Sequence, residues 1–152
     1  MKTIYNHNKL TYCLLLVITV LCLSACEKES HIIIEAPFQE YVDIFFLEAE
    51  KRNIKISKNN LEVVFQDHRS YCGLGDCSYQ DSDIRRVEIN PNCWELINAT
   101  GKEILMFHEL GHALLKRQHK NTKFPNGSFR SIMHNGSYIS VSYTHLTLPT
   151  KA

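Results

Sequence analysis

The segment that decides the fold is His108-Glu109-Leu110-Gly111-His112. It lies late in a segment whose apolar residues recur at helical spacing, so the motif is predicted to lie on a helix. Thr100-Gly101-Lys102-Glu103 fits a capping box, so the sequence predicts a helix that starts there and runs to about Leu115. Residues four apart lie on the same face of an α-helix, one turn above each other. His108 and His112 can therefore aim their imidazoles at a single metal ion.

Glu109 follows the first histidine directly, about 100° round the helix axis. From there its carboxylate can approach a water molecule at the metal without becoming a ligand itself. Zinc lowers the pKa of a bound water to about 7, and a carboxylate can take the proton as the water attacks a carbonyl group. The pattern therefore predicts one catalytic zinc ion, Glu109 as the general base, and a peptide or protein as the substrate.

The third metal ligand follows from the residues that remain. A catalytic zinc ion needs three protein ligands and leaves its fourth position to water. From Ala113 to the end there is neither Asp nor Glu, so the third ligand is His119 or His134. A straight helix would carry His119 about 16 Å along its axis from the first histidine, at about 1.5 Å per residue. Ligation by His119 therefore requires the helix to break near Leu115 or Lys116.

Downstream of the histidines lies Ser131-Ile132-Met133. With the helix motif, this segment makes the chain resemble the metzincins, zinc metallopeptidases with a Met-turn beneath the metal. In particular, the chain resembles short metallopeptidase lipoproteins of the Bacteroidota, over roughly residues 38–133. The resemblance implies an α+β, metzincin-like zincin fold, in which a small mixed sheet packs on an N-terminal helix and on the active-site helix. It also implies a C-terminal truncation, because the family continues into a further helix.

The resemblance implies roles for five residues. They are the zinc ligands His108, His112 and His119, the general base Glu109, and Met133 as the apolar floor below the metal. Without that context, Met133 would be interpreted as a buried core methionine. His134 stays open as a ligand, although a residue next to Met133 points away from the metal if Met133 points toward it. The family motif has Gly and His where this chain has Leu115 and Gln118, so one additional residue precedes His119.

Residues 1–25 are typical of an export signal, with an apolar run too short to span a bilayer, which needs about 20 residues. The run ends in Leu23-Ser24-Ala25-Cys26, which resembles a bacterial lipobox and implies lipidation of Cys26. We therefore expect the protein in the bacterial cell envelope. Its lipid would anchor it to the outer membrane, where it would face either the periplasm or the cell surface. Residues 26–36 would form a tether. An ordinary secretory signal or a membrane anchor is the alternative.

Three further cysteines, Cys72, Cys77 and Cys93, follow the proposed lipidation site. Outside the cytoplasm disulfides persist, and an odd number leaves one thiol over. Cys72 pairs either with Cys77 across a Gly-rich loop or with Cys93. A cysteine-ligated zinc site is the third interpretation, although no second closely spaced pair completes four ligands.

Residues 37–140 are predicted to form one metallopeptidase domain. After Pro37, apolar side chains recur at helical spacing and predict a core-facing helix: Phe38, Tyr41, Val42, Phe45, Phe46 and Ala49. Strands are predicted at Leu61–Phe65 and Arg86–Ile89, with a loop between them. Arg86–Ile89 is also the candidate edge strand, beside which a substrate peptide would add as a further strand.

The length and net charge of the chain limit the number of domains and the kinds of partner that we expect. The 152 residues suffice for one domain, and a net charge of +1 gives no basic surplus for binding phosphates, so no nucleic-acid partner is expected. The alternative to a peptidase is a non-catalytic surface lipoprotein that binds a metal or a partner. Glu109 distinguishes the two functions, because a site that only binds metal needs no carboxylate beside its first histidine.

The last twelve residues, 141–152, are predicted not to belong to the natural protein. Val141 to Thr150 can be encoded by nearly all of a transposon-end adapter used to prepare sequencing libraries. Residues 141–152 are therefore predicted to be a non-biological tail, with the native sequence departing after Ser140. A genuine C-terminal strand is the alternative.

Overall fold

The computed structural model describes residues 30–67 and 70–135. The expected signal peptide, the lipidation site Cys26 and the tail 141–152 lie outside these residues. Within the described ranges, no helix is both long and apolar enough to cross a membrane. The compact unit that carries the histidine motif begins at His31.

Three helices and four strands make up the described part of the chain. The helices are α1 (Gln39–Lys51), α2 (Pro91–Leu96) and α3 (Ala99–Leu115). The strands are β1 (Ile32–Ile34), β2 (Leu61–Phe65), β3 (Gly73–Asp76) and β4 (Arg85–Ile89). Short 3-10 turns at Ala36–Phe38 and Tyr79–Asp81 precede α1 and β4. The predicted α+β class with a small mixed sheet is confirmed.

The strands form one mixed sheet in the order β1-β2-β4-β3. β1 and β4 both run parallel to β2, and Val63 lies between Ile34 and Val87 in the register. β3 runs antiparallel to β4, with Gly75 opposite Val87. Parallel neighbours need a crossover connection, and α1 provides it between β1 and β2.

The folded domain begins earlier than the sequence predicts. The expected tether over residues 26–36 contains β1, whose isoleucines have the β-branched side chains that favour strands. Backbone hydrogen bonds extend this pairing on both sides, because Leu61 donates to the His31 carbonyl over 3.1 Å and Glu35 donates to the Val63 carbonyl over 3.0 Å. β1 is therefore part of the sheet rather than a linker.

The predicted strand at Arg86–Ile89 is present within β4, but its assignment as the edge strand was wrong. β4 lies between β2 and β3, so both of its sides are used in backbone pairing and it cannot accept an added peptide strand. The edge strand is β3, which the sequence analysis placed in a loop because Gly73 and Gly75 are poor strand residues. No strand among the described residues pairs with the outer side of β3.

The core forms where α1 packs on α3 and α3 packs on β3 and β4. Four members of the predicted stripe on the first helix are buried: Phe38, Val42, Phe45 and Ala49. The Phe45 ring meets the Phe107 ring of α3 edge-on, with centroids 5.2 Å apart. This edge-to-face contact packs α1 against α3. The burial of these side chains confirms that the predicted apolar face of the first helix is directed toward the core.

α3 starts one residue before the predicted capping box. Its first turn is capped by Asn98, whose side-chain oxygen accepts a hydrogen bond from the Gly101 N–H over 2.9 Å. Thr100 is therefore a helical residue, and the predicted capping role of its hydroxyl was wrong. An asparagine oxygen satisfies the free N–H groups of a first turn at least as well as a threonine hydroxyl does.

A disulfide joins Cys72 to Cys93, whose Cα atoms are 5.4 Å apart. The sequence left this pairing and a Cys72–Cys77 loop both open. Cys72 directly precedes β3 and Cys93 lies on α2, so the bond fixes the start of the edge strand to a helix. Cys77 keeps a free thiol.

Candidate metal centre

The imidazoles of His108, His112 and His119 converge on one point. Their Nε2 atoms are 2.9 Å apart between His108 and His112, 3.3 Å apart between His108 and His119, and 3.2 Å apart between His112 and His119. Nitrogens bound about 2.0–2.1 Å from a tetrahedral zinc ion would lie about 3.3 Å from each other. The spacing of the three rings therefore suits one metal ion, and these residues are close enough to hold it. We refer to the point between His108, His112 and His119 as the metal centre.

Backbone carbonyls orient two of the three rings. His108 Nδ1 lies 2.7 Å from the Ile132 carbonyl oxygen, and His112 Nδ1 lies 2.5 Å from the Arg117 carbonyl oxygen. Because a carbonyl can only accept, each Nδ1 carries the proton and each Nε2 presents a lone pair. Two lone pairs facing each other over 2.9 Å repel, and a cation between them removes that repulsion. The donor set therefore fits a metal better than it fits a metal-free hydrogen-bond network.

Burial favours the neutral forms of these rings. It lowers the pKa of His108 to about 4, and it also lowers the pKa of His112. In both cases the hydrogen bond to a backbone carbonyl opposes the effect of burial without overcoming it. A histidine must be neutral to bind a metal ion. Both rings are thus ready to bind metal near neutral pH.

The helix breaks where ligation by His119 requires. α3 ends at Leu115, and Lys116 takes a left-handed conformation with φ 53° and ψ 35°. The N–H groups of Lys116 and Arg117 donate back to the last turn, to the carbonyls of His112 and Gly111, each over 3.1 Å. This closes the helix and reverses the chain toward the metal centre. A non-glycine residue such as Lys116 is strained in this conformation.

Replacing Lys116 with Gly is expected to raise the free energy of unfolding by about 1 kcal/mol, because glycine adopts the left-handed conformation without strain. The Lys116 side chain is exposed, so its loss removes no buried contact. Urea unfolding of the metal-free chain measures the change. Lys116→Ala is the control, because it shortens the side chain and keeps the strain. A destabilised Lys116→Gly variant would contradict the role of this turn.

Met133 lies against the helix face that carries the histidines. A Cβ atom placed on Gly111 would stand 2.9 Å from the Met133 sulfur, so only glycine admits the thioether this close to α3. The Met133 backbone also supports the ligand loop, because its carbonyl accepts a hydrogen bond from Lys120 N–H over 2.7 Å. Lys120 follows His119 directly. The buried Met133 is therefore positioned beside the metal centre and tied to its third histidine.

The structure does not place His134 in the metal centre. Its buried ring stacks on Phe129, with centroids 4.0 Å apart and planes 8° from parallel. Among the described residues, the group with metal-ligand geometry contains His108, His112 and His119. The structure thus brings together the set with His119 rather than the set with His134.

Glu109 lies beside the metal centre under the edge strand, and only 4% of its surface is exposed. The glycines of β3 make room for it. A Cβ on Gly73 would stand 2.8 Å from Glu109 Oε1, and a Cβ on Gly75 would stand 2.2 Å from the Glu109 carbonyl oxygen. Burial raises the pKa of the Glu109 carboxyl to about 8. A hydrogen bond from the Gly75 backbone N–H lowers this pKa, but its effect is smaller than that of burial. A divalent cation on the nearby histidines would lower this pKa again by favouring the charged carboxylate.

Gly73 and Gly75 border the site, and their place there was not predicted from the sequence. The available signal was their alternation, since a glycine at every second position of a strand marks a close backbone approach. In the register of β3 these two residues share the face that lies on α3. Their role depends on Glu109, which lies more than thirty residues further along the chain, so the local pattern does not contain this contact.

A cleft of about 500 Å³ opens above the histidines and Glu109. The cleft is also lined by β3 and the residues before it, by the apolar residues Ile97 and Leu105, and by His119 and Asn135. The cleft therefore combines three histidines that could hold a metal ion, a carboxylate and an extended backbone edge.

The chain was compared with family models, with curated proteins and with solved structures, and none of them matches it.

Proposed function

We propose that the protein is a zinc-dependent peptidase of metzincin-like zincin fold. The observation that carries the proposal is a carboxylate held beside a centre of three converging histidines. Glu109 is too far round α3 to belong to the ligand group, yet it lines the same cleft as His108, His112 and His119. A site that only stores a metal has no need of such a group, whereas hydrolysis requires a base next to the attacking water.

The nature of the ligands favours zinc. Three neutral imidazoles that leave a further position open toward a cleft are typical of catalytic zinc sites. Zinc held by His108, His112 and His119 would supply Lewis-acid chemistry, which makes water a stronger nucleophile near neutral pH and polarises a carbonyl group. The hydrogen bonds from His108 and His112 to backbone carbonyls hold both rings in the orientation that binding requires.

Glu109 performs the proton transfers in this mechanism. Its carboxylate accepts a proton from the water that attacks the peptide carbonyl, and it then delivers the proton to the nitrogen of the leaving amine. The Gly75 N–H hydrogen bond holds the carboxylate, and the absence of a side chain at Gly73 leaves room for it in this position. Positioning by the edge strand thus supports the role of Glu109 as the base.

β3 is the element on which we place the substrate. Its outer side has no partner strand among the described residues, and its residues form a wall of the cleft. A peptide added there as a further antiparallel or parallel strand would form backbone hydrogen bonds along β3 and bring its carbonyl toward the histidines. Apolar side chains at Ile97 and Leu105 would receive one side chain of that peptide.

Three features support the metzincin-like fold as part of this proposal. The sheet ends in an antiparallel strand beside the active-site helix, the helix stops so that a third histidine can return, and a methionine lies against the histidine-bearing face. The Cys72–Cys93 disulfide agrees with a location outside the cytoplasm, where such bonds persist. We therefore keep the proposal of a membrane-anchored envelope protein lipidated at Cys26.

Metal removal tests the proposed function. The purified chain is expected to contain one zinc ion per molecule, and a chelator is expected to abolish cleavage of a general protein substrate such as casein. Added zinc should restore it, because the ligands stay oriented by backbone carbonyls. His112→Ala is the matched variant that should lose both zinc and cleavage. Zinc content near zero in the parent chain would contradict the proposal, and bound zinc without hydrolysis would favour a metal-binding lipoprotein.

A further inference from the structure

The charge on one side of the metal centre is strongly biased. From Ala113 to residue 135 there is no acidic residue, while five basic residues occur: Lys116, Arg117, Lys120, Lys123 and Arg130. In the described residues before Ala113, fourteen acidic residues outnumber seven basic ones. We name residues 116–130 the basic loop. Its excess of positive charge is not visible in the overall charge of +1.

The basic loop holds its charges in an ordered structure. Its distal part is a short hairpin, in which Lys123 forms an antiparallel bridge with Phe129. The Lys123 ammonium lies 4.6 Å from the Phe129 ring centre, and the Arg130 guanidinium lies 4.9 Å from the ring centre of Phe124. Such cation–π contacts order the side chains without neutralising them. None of the five basic groups forms an ion pair with a residue that the structure describes.

The basic loop lies at the cleft rather than on a remote surface. His119 belongs to the loop and lines the cleft, together with Asn135, whose N–H donates to the Asn121 side chain over 3.0 Å. Lys120 is next to His119 in sequence, and its side chain is exposed. A polypeptide that crosses the cleft therefore passes close to Lys120, from which the rest of the basic loop continues.

Helix termination explains only part of the bias. Basic residues are favoured near the C-terminus of a helix, where the macrodipole is negative, and this accounts for Lys116 and Arg117. Lys120, Lys123 and Arg130 lie beyond the last turn, where that effect has fallen off. An ordinary solvated surface would mix both signs of charge. The three outer residues therefore call for another explanation.

We propose that the basic loop binds acidic side chains of the polypeptide substrate, which makes acidic polypeptides the preferred substrate class. This inference rests on the proposed peptidase function. The occupant is a polypeptide rather than a lipid surface, because the charges flank the metal ligand and the cleft that would hold a peptide. Like charges concentrated beside a cleft raise the local concentration of oppositely charged substrates and their association rate, by about 10-fold or more at low salt.

Binding and cleavage of two matched peptides test the inference. The peptides share a sequence taken from a site that the zinc-loaded protein cleaves in casein, with Glu at the flanking positions in one and Gln in the other. If the protein does not cleave casein, the binding measurement uses two peptides of any shared sequence that again differ only in Glu or Gln at the flanking positions. Fluorescence anisotropy on the zinc-loaded chain measures the affinity without hydrolysis. We expect the Glu peptide to bind about tenfold more tightly, with a preference that weakens as salt shortens the Debye length from about 10 Å at 0.1 M.

Three variants distinguish charge from packing. K120Q/K123Q/R130Q removes three charges and should bring the Glu-to-Gln preference close to one, since each exposed pair is worth about two- to fivefold. K120R/K123R/R130K keeps the charges and should keep the preference. K51Q/K55Q/K58Q removes three charges at α1 and after it, outside the cleft, and should also keep the preference. One zinc ion per chain in each variant shows that His119 is still in place.

The results separate the inference from the proposed function. Equal binding of both peptides to the parent chain, or equal loss of preference in the α1 variant, would overturn the inference. Tighter binding to anionic phosphatidylglycerol vesicles without a peptide preference would overturn it in favour of a membrane contact. A peptide preference that depends on the basic loop, observed without any hydrolysis, would support the acidic partner while contradicting the peptidase.

Discussion

Glu109→Gln is expected to lower kcat for peptide hydrolysis by about 10³-fold, a loss typical of removing a general base. The amide has nearly the same size and keeps the contact with Gly73, but it cannot accept a proton from the attacking water. His108 and His112 do not depend on Glu109 for their orientation, because backbone carbonyls hold both rings. The zinc content of the variant should therefore equal that of the parent chain.

Two controls accompany this variant. Glu103→Gln changes a glutamate on the same helix, outside the cleft, and should leave kcat and zinc content at the parent values. Folding is checked in the metal-free state. The pKa of Glu109 rises on folding from 4.5 to about 8. Its favourable contribution to the free energy of unfolding is therefore complete below pH 4.5, and it is lost as pH rises through about 8. Metal-free Glu109→Gln should thus be at least as stable as the metal-free parent at pH 8.

The outcome decides between the two functions considered for the chain. Hydrolysis that survives Glu109→Gln would show that another group acts as the base, and it would contradict the proposed mechanism. Loss of zinc together with activity would show that Glu109 supports the metal centre instead. A large loss of kcat with zinc retained is the result that only a base beside the metal explains.

Gly75→Ala is expected to lower the free energy of unfolding by about 3 kcal/mol and to reduce peptide hydrolysis strongly. The added Cβ would stand 2.2 Å from the Glu109 carbonyl oxygen and 2.9 Å from His112 Cβ. The first of these is a backbone atom of α3, which cannot move without displacing the helix. β3 would therefore shift away from α3, and the Gly75 N–H would lose its hydrogen bond to Glu109.

Gly73→Ala provides the informative comparison. Its Cβ would stand 2.8 Å from both Cγ and Oε1 of Glu109, which are side-chain atoms that can rotate away. We expect a smaller loss of stability than for Gly75→Ala, together with a clear fall in kcat, because the carboxylate leaves its position. Leu74→Ala, on the exposed side of the same strand, is the stability control and should cost less than about 1 kcal/mol.

Urea unfolding of the metal-free proteins and kcat of the zinc-loaded proteins measure these effects. A Gly75→Ala variant with the stability and the rate of the parent chain would contradict the close packing of β3 on α3. Equal effects of Gly73→Ala and Gly75→Ala on stability would contradict the distinction between side-chain and backbone contacts.

The histidine motif and the break after it show what sequence patterns could predict. Histidines four residues apart must share a helix face, and the lack of later acidic residues restricts the third ligand to His119 or His134. The requirement for a break near Leu115 or Lys116 followed from helix rise alone, and α3 ends at Leu115. Such predictions succeed because they depend on local geometry and on the chemistry of the ligands.

The cysteines and the N-terminal isoleucines mark the limit of that approach. Three cysteines allowed more than one pairing, and the bond between Cys72 and Cys93 depends on how β3 and α2 come together. The isoleucines of β1 were interpreted as a tether, because three residues carry too little pattern to indicate a strand. Their pairing with β2 is a contact across some thirty residues of sequence.

Residue spacing and ligand chemistry were thus sufficient to predict that two histidines share a face of one helix and that a turn after it brings His119 to them. The edge of the cleft was beyond such reasoning, because it depends on contacts between distant segments. Gly73 and Gly75 are weak strand residues taken alone, and they form β3 because pairing with β4 and packing on α3 override that preference. The tertiary structure thereby places β3, rather than Arg86–Ile89, at the edge of the sheet and against Glu109.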